Sequence, residues 1–197
     1  SKVFWYDGNG TIQGQFLGDT LVEDAMLGAG ALAVDESTTW PASLTDYSVV
    51  FLFLTQSSYS VTQVADLISF TQGGGTLVMA ADHGNWFDPT AFNSLLTDMG
   101  VDSQFERAQY DSSTMTLTTK NIVSHSLTTG VNELVFNLST GVVAGSGSII
   151  LVEGLSSQAL AVLEDNVLLL TDIGILTEDA NTVNSDNSIF ISNMYTW

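Results

Sequence analysis

Through its first hundred residues, the chain alternates between short unbroken apolar runs and longer segments in which apolar residues recur every three or four positions. The unbroken runs lie at 2–6, 47–54 and 76–81, and each one stops at a cluster of polar or turn-forming residues. Unbroken apolar runs of this length are typical of strands that are covered on both faces of a sheet. They predict three buried strands.

The segments with helical spacing lie at 19–33, 60–72 and 88–100. Three glycines, Gly73 to Gly75, follow the second segment, and Gly100 ends the third. Glycine is the most common residue just past the end of a helix, so both stops support the helix predictions. Strands that alternate with helices in this order predict βαβ units and a parallel sheet.

After residue 100 the pattern changes to several strands and one closing helix at 186–197. Glu164, Asp165 and Asn166 separate two apolar runs and predict a hairpin turn. The fold expected is therefore α/β, with a mostly parallel sheet flanked by helices and extra antiparallel strands in the C-terminal half. We expect residues 1–197 to form a single domain that was excised from a longer protein. The predicted strands of this half are 103–110, 133–139, 148–154, 159–163 and 167–172.

Charge narrows the range of partners. The 197 residues include 22 Asp+Glu and 3 Lys+Arg, which gives a formal net charge of −19. Phosphates and anionic lipids are bound through Lys and Arg, so this composition opposes a nucleic-acid partner and a membrane-surface partner. It fits an acidic surface that salt or divalent cations must screen.

Two absences also bear on function and location. The sequence contains no cysteine, which excludes disulfides, thiolate nucleophiles and cysteine–zinc sites. No apolar run reaches about 18 residues, so no membrane insertion is expected. We expect an extracellular or cell-surface location, with the periplasm or the cytoplasm of a halophile as alternatives. The sequence does not define an oligomeric state.

Polar residues follow four of the strands that are predicted to be parallel. Open α/β sheets bind ligands at the carboxyl ends of their strands, so these residues are expected to meet at one edge. Asp and Asn oxygens suit Ca²⁺, which makes calcium a candidate cofactor. The candidate metal ligands are Asp7, Asp82, Asp172, Asp179 and Asp186. The candidate ligand-binding residues are Asp7, Asn9, Gln56, Asp82, His83, Asn85 and Trp86.

The pair Asp82–His83 allows two interpretations. A carboxylate beside a histidine raises the pKa of the imidazole and can support acid–base catalysis, so a hydrolase could use Asp82, His83 and Asp172. Alternatively, Asp82 caps the following turn and His83 bonds to the backbone, which is a structural role. Trp86 lies in the same loop, where its ring could stack on a sugar or pack beneath the loop.

The order of these features resembles a known superfamily. The block "YSVVFLFL…SVTQVADLISFTQGGGTLVMAADHGNW…FNSLLTDMGV" and the tail "VLLLTDIGILTEDANTVNSDNSIFISNMYTW" resemble the class I glutamine amidotransferase-like proteins. Within that superfamily, the two segments most resemble the non-amidotransferase branch, which includes trehalose-utilisation-type proteins and gliding-motility or intraflagellar-transport accessory domains. The resemblance implies a three-layer, flavodoxin-like fold.

The resemblance also limits the chemistry. Amidotransferases place a nucleophilic cysteine in the turn where this chain has Asp82, His83 and Gly84, and the absence of cysteine excludes thiolate-dependent glutaminase activity. We expect a non-catalytic module of an acidic secreted or surface protein that binds a glycan or a protein partner, with Ca²⁺ as a possible requirement. The alternatives are the hydrolase described above and a purely structural spacer.

Overall fold

The computed structural model describes residues 1–11, 21–108, 116–177 and 185–197. Within these ranges, ten strands form one mixed sheet and two more form a small antiparallel pair. The helices are α1 (Leu21–Gly28), α2 (Val61–Gln72), α3 (Thr90–Met99) and α4 (Asn187–Thr196). The strands are β1 (Lys2–Tyr6), β2 (Val34–Ser37), β3 (Tyr47–Phe53), β4 (Thr76–Ala80), β5 (Gln104–Phe105), β6 (Thr116–Thr119), β7 (Asn121–Ile122), β8 (Leu134–Asn137), β9 (Val142–Val143), β10 (Ile149–Glu153), β11 (Ala159–Glu164) and β12 (Val167–Leu170).

The parallel part of the sheet has the order β2–β1–β3–β4–β12. The three strands expected from the N-terminal half, β1, β3 and β4, are therefore confirmed as parallel neighbours. The residues of β4 and β12 are all buried, as are the last five of β3. Strands at the centre of such a sheet are covered on both faces, which explains why they read as unbroken apolar runs.

The antiparallel part extends the sheet beyond β12. β11 pairs with β12 through the predicted hairpin, in which Glu164 lies opposite Val167 and Asp165 takes a positive φ of 50°. β10 and β7 continue in the antiparallel sense, while the short strand β9 pairs with β11 and with β5. The expected mixture of a parallel core with antiparallel strands is thus confirmed.

The helices form a layer on each face of the sheet. Successive side chains of a strand point to opposite faces. Tyr6 bonds to Gln63 of α2, whereas its neighbour Trp5 lines a cavity with Val22 of α1. Helices α1 and α4 pack together, as do α2 and α3. This gives the three-layer α/β architecture that the resemblance implies.

The ends of two helices match their sequence signals. Ser60 and Gln63 form a reciprocal capping box at the start of α2, in which Ser60 Oγ accepts from the Gln63 N–H at 3.2 Å. Gly100 ends α3 in the left-handed conformation with a φ of 79°, which glycine adopts without strain. Both ends are fixed by local sequence, which is why they could be predicted.

Three expectations about secondary structure are corrected. The helix predicted at 19–33 ends at Gly28, and the strand predicted at 103–110 is reduced to Gln104–Phe105 among the residues described. The edge strand β2 was not predicted, because its sequence VDES is half-buried or exposed and lacks an apolar run. No helix in the described ranges is long and apolar enough to cross a membrane.

Candidate functional site

The carboxyl ends of the parallel strands lie at one edge of the sheet, as expected from the sequence. Asp7 follows β1, Asp82 follows β4 after one alanine, and Asp172 follows β12 after one threonine. All three carboxylates are buried, with exposed fractions of 7%, 7% and 1%. Buried carboxyl groups are costly to ionise, so each of them needs a stabilising arrangement or a proton.

Asp82 and Asp172 come close enough to interact electrostatically, because β4 and β12 are neighbours. Burial raises the pKa of Asp82 to about 7, against the lowering effect of a hydrogen bond from its neighbour's N–H. Burial also raises the pKa of Asp172 to about 8, where backbone hydrogen bonds oppose the shift and the charge of Asp82 adds to it. Near neutral pH this pair is therefore only partly ionised.

The carboxylate of Asp172 holds the local backbone together. Its Oδ1 accepts from the N–H of Gly174 at 2.7 Å and caps the 3₁₀ turn Ile173–Leu176. Its Oδ2 accepts from the N–H of Asn137, at the end of β8. Both oxygens are thus engaged by main-chain donors that would otherwise be buried without partners. The side chain links β12 to β8 and is not open to a ligand.

His83 is mostly buried beside Asp82. Its Nε2 lies 3.8 Å from Asp82 Oδ1, which is too long for a hydrogen bond, and the same oxygen accepts from the His83 N–H at 2.6 Å. Burial lowers the pKa of His83, so the imidazole is neutral near pH 7. Among the residues that the structure describes, its buried Nδ1 has no hydrogen-bond partner. The structural interpretation of Asp82, as an acceptor for the following turn, therefore agrees with the geometry.

Asp7 does not join Asp82 and Asp172, although it lies at the same edge. One strand, β3, separates β1 from β4. Asp7 instead bonds to Glu36 of β2, and its Oδ1 accepts from Trp5 Nε1 at 3.1 Å. Burial, the hydrogen bond to Glu36 and the charge of Glu36 raise the pKa of Asp7 to about 7. The edge thus carries two separate carboxyl pairs.

Asn9 and Gln56 build the loop beside β1. Asn9 takes a positive φ of 54°, and its Oδ1 accepts from the hydroxyl of Tyr6 at 2.9 Å. Its carbonyl oxygen accepts from the N–H groups of Gln56 and Ser57 at 3.3 and 2.9 Å. These contacts join the loops after β1 and β3 and use the polar groups of Asn9 for structure. The side chain of Gln56 is exposed.

The loop after β4 presents Asn85 and Trp86 at the surface, with 37% of Trp86 exposed. The N–H of Trp86 donates to the carbonyl of His83 at 3.0 Å, which closes a tight turn. Trp5 of β1, by contrast, is 9% exposed and packs against Phe51 and Phe53. Trp86 is therefore the better placed of these two rings for contact with a glycan.

The remaining candidate metal ligands are Asp186 and Asp179. Asp186 lies at the start of α4, where its Oδ2 accepts from the N–H of Asn132 at 2.7 Å and of Glu133 at 3.2 Å. Asp179 lies outside the described residues. In the ranges that the structure covers, no three His, Asp or Glu side chains group in a way that could hold a metal ion. The calcium site stays a prediction.

Comparison with known proteins rests on structure. No protein-family model matches the sequence, and no curated protein sequence matches it significantly. The mmIFT52 N-terminal domain matches with a TM-score of 0.77 at 9% identity, over 98% of this chain and 99% of that one. A glutamine amidotransferase from Thermotoga maritima matches with a TM-score of 0.61 at 10% identity, over 99% and 95% of the two chains. The chain has a glutamine amidotransferase-like fold.

The amidotransferase-like fold also occurs as part of a larger enzyme. An exo-β-1,4-mannosidase from an Opitutaceae bacterium matches over 99% of this chain with a TM-score of 0.55 at 12% identity. The chain spans about a third of that enzyme's length, since the match covers 35% of it. The fold alone does not define an activity, because unrelated functions are built on the same scaffold.

Glu36 is the residue of this edge that sequence analysis missed. It lies in β2, whose polar sequence gave no strand signal, and it becomes the partner of Asp7 only because β2 adds beside β1. VDES shows no alternation of apolar and polar residues, because the face shared by Val34 and Glu36 holds one of each.

Proposed function

We propose that this chain is a non-catalytic binding or structural module on the amidotransferase-like scaffold. The observation that carries this proposal is the engagement of both Asp172 oxygens by the N–H groups of Gly174 and Asn137. Asp172 is also only 1% exposed, so its carboxyl group is placed to hold the backbone rather than to contact a substrate. The absence of cysteine removes the thiolate chemistry of the amidotransferases.

The fold comparison supports the same function. The match to the mmIFT52 N-terminal domain extends over nearly the whole of both chains, and its TM-score of 0.77 exceeds the 0.61 for the Thermotoga maritima amidotransferase. We place the module in a secreted or surface protein, in line with its net charge of −19. Its partner is a glycan or a protein, and Trp86 offers an exposed ring for stacking on a sugar.

A hydrolase is the second candidate, and one observation favours it. Within the described part of the chain, the buried His83 Nδ1 has no hydrogen-bond partner, and the two carboxyl groups of raised pKa, Asp82 and Asp172, lie at the same sheet edge. Unpaired buried nitrogens and shifted pKa values concentrate at functional sites. Against this candidate, Asp172 is 1% exposed and each of its oxygens already accepts from a backbone N–H.

The test compares wild type with His83→Ala on chromogenic amides, esters and glycosides. We expect no turnover above the buffer rate for either protein, with both retaining the same circular dichroism spectrum. Turnover by wild type that His83→Ala loses would overturn the non-catalytic proposal and establish the hydrolase.

The calcium requirement is tested separately by melting the protein with Ca²⁺ and with EDTA. A ligand that binds only the folded state stabilises it, by about 2.7 kcal/mol at one hundred times its Kd. A rise in Tm with Ca²⁺ that EDTA reverses supports the requirement. An unchanged Tm removes calcium from the proposal and leaves the binding module itself intact.

A further inference from the structure

The strand β2 forms one edge of the ten-stranded sheet, where it pairs with β1 alone among the described strands. The carbonyl groups of Ala33, just before the strand, and of Ser37 accept from the N–H groups of Val3 and Asp7, both at 2.9 Å. In a parallel pair, the main-chain groups of successive residues point alternately toward the neighbouring strand and away from it. Every second residue of β2 therefore turns its N–H and C=O to the outside of the sheet.

Val34 and Glu36 are the residues of β2 that face outward. In the part of the chain that the structure describes, no hydrogen bond reaches their N–H and C=O groups. Val34 is half-buried and Glu36 is exposed, so this edge of the sheet is accessible. An edge strand with free main-chain donors and acceptors is a template to which an extended peptide can add as a further strand.

Charge at this edge selects the kind of strand that can add. Asp35 and Glu36 lie next to one another in β2, and Glu23 of α1 lines a cavity together with Glu36. Lys2 of β1 is already paired with Asp35 at 3.1 Å. The other two Lys and Arg residues of the chain are paired with acids outside β2. Opposite charges on neighbouring strands stabilise their pairing, so a partner strand that carries Lys or Arg is favoured.

The same charges oppose pairing between two copies of this chain. When two β2 strands pair antiparallel about a two-fold axis, in the register that matches all their residues, Asp35 of one copy lies opposite Glu36 of the other. Like charges directly opposite one another destabilise a strand pair. The net charge of −19 on each copy adds a longer-range repulsion. The edge therefore favours a different, basic chain over a second copy.

We propose that β2 accepts an added strand from a protein partner, an extended segment in which Lys or Arg alternates with apolar residues. Apolar positions are favoured because Leu32, two residues before Val34, is 76% exposed and Val34 itself is only half-buried. The outward N–H and C=O groups of Val34 and Glu36 bind the segment, and the acidic side chains select its sequence. This inference names the kind of partner for the binding module proposed above and rests on that function.

The test follows hydrogen–deuterium exchange of the β2 amides in ¹⁵N spectra. The probe is a hexapeptide in which valine and lysine alternate, acetylated and amidated at its ends. The outward amides of Val34 and Glu36 should exchange rapidly in the free protein, because they face solvent. At saturating peptide we expect their exchange to slow by about tenfold or more, since each amide then donates to the added strand. The inward amides of Asp35 and Ser37 should change little.

Two control peptides separate strand pairing from charge attraction. The first is the same hexapeptide with every backbone amide N-methylated, which keeps the charges but cannot pair as a strand. The second replaces lysine by glutamate, which keeps the ability to pair but reverses the charge. We expect neither peptide to slow exchange at Val34 or Glu36.

A pair of variants tests the outward main chain of β2 directly. Val34→Pro removes the outward N–H and leaves the bonds to β1 in place, because proline is tolerated on the solvent side of an edge strand. We expect it to raise the Kd of the lysine peptide about tenfold, whereas Val34→Ala keeps the N–H and should change the Kd by less than about threefold. Circular dichroism checks that both variants fold. If Val34→Pro does not fold, the N-methylated peptide still decides the question on the wild-type protein.

Three results would overturn the inference: unchanged exchange at Val34 and Glu36, equal binding of the N-methylated peptide, or unchanged binding by folded Val34→Pro. Protection of these two amides that grows with protein concentration, without peptide, would assign the edge to a second copy and also overturn it. Failure here is distinguishable from failure of the proposed function. Turnover of a chromogenic substrate would contradict the non-catalytic role and leave strand addition intact, whereas failed strand addition leaves the module with a glycan or another protein surface.

Discussion

Asp82 and Asp172 end two neighbouring parallel strands, and burial together with the charge of Asp82 raises the pKa of Asp172 to about 8. The pair therefore binds protons in the folded state at pH values where free aspartates have lost them. Because unfolded aspartates titrate near pH 3.9, this difference couples folding to pH over several units. This coupling between folding and pH arises because the two strand ends are adjacent, and it requires no catalytic role for either aspartate.

Stability should fall as the pH rises from 5 to 9. Asp7, Asp82 and Asp172 have folded-state pKa values of about 7, 7 and 8, all above the unfolded value. Their contribution to the free energy of unfolding is fully present below about pH 4, and it is lost as the pH rises through these values. Urea unfolding at each pH measures the effect. A free energy of unfolding that rises with pH over this window would contradict it.

Asp82→Asn should raise stability at pH 8.5 and flatten the pH dependence. The amide oxygen can still accept from the His83 N–H, while the charge that is costly to bury is removed, along with its repulsion of Asp172. We expect a gain of roughly 1–3 kcal/mol at pH 8.5 and little change at about pH 3.5, below the unfolded value of about 3.9. Asp98→Asn, on α3, is the matched control for net charge, and an equal gain in that variant would point to general repulsion.

Asp172→Ala should destabilise the fold strongly at every pH. It leaves the N–H groups of Gly174 and Asn137 without their acceptor in a buried setting. Each orphaned buried donor costs about 1–3 kcal/mol, so we expect a loss of roughly 2–5 kcal/mol in urea unfolding. Asp172→Asn keeps one acceptor and should lose less. An Asp172→Ala protein as stable as wild type would remove the main support for a structural role.

Glu164→Gln should destabilise the junction between α3 and the β11–β12 hairpin. Glu164 accepts from the N–H of Asp102 at 2.8 Å and from the N–H and hydroxyl of Ser103 at 2.9 and 2.6 Å. Burial acts to raise the pKa of Glu164, but these hydrogen bonds together lower it. The amide presents one acceptor and one donor to this set, so we expect a loss of about 2–3 kcal/mol.

The same site gives a pH test of opposite sign. Because the folded pKa of Glu164 is lowered, its contribution is present above the unfolded value of about 4.3 and is lost as the pH falls through the folded value. The loss of stability in Glu164→Gln, relative to wild type, should therefore disappear in acid. Glu153→Gln is the control, and we expect it to stay within about 0.5 kcal/mol of wild type.

Ser60→Ala should cost about 1 kcal/mol by removing the capping box of α2. Ser60 Oγ accepts from the Gln63 N–H, and the Gln63 side chain accepts from the Ser60 N–H at 2.9 Å. In a chain of this length the loss should lower Tm by about 2–4 °C in calorimetry. Ser58→Ala, in the preceding loop, provides the control and should have the same Tm as wild type.

The candidate site was predictable in part. The parallel direction of β1, β3, β4 and β12 followed from unbroken apolar runs separated by helices and by a hairpin, and it correctly placed Asp7, Asp82 and Asp172 at one edge. The grouping of these residues was not predictable, because it depends on which strands lie side by side. The order β2–β1–β3–β4–β12 joins Asp82 to Asp172 and gives Asp7 a different partner.

By itself, the sequence determined the alternation of strands and helices, the formal net charge of −19 and the absence of thiolate chemistry, since these follow from periodicity and composition. The tertiary structure alone decided that Glu36 meets Asp7 beside Trp5, and that the oxygens of Asp172 are engaged by the backbone. The physical reason is that periodicity specifies which face of an element is buried, whereas lateral strand order is selected by packing between residues far apart in the chain.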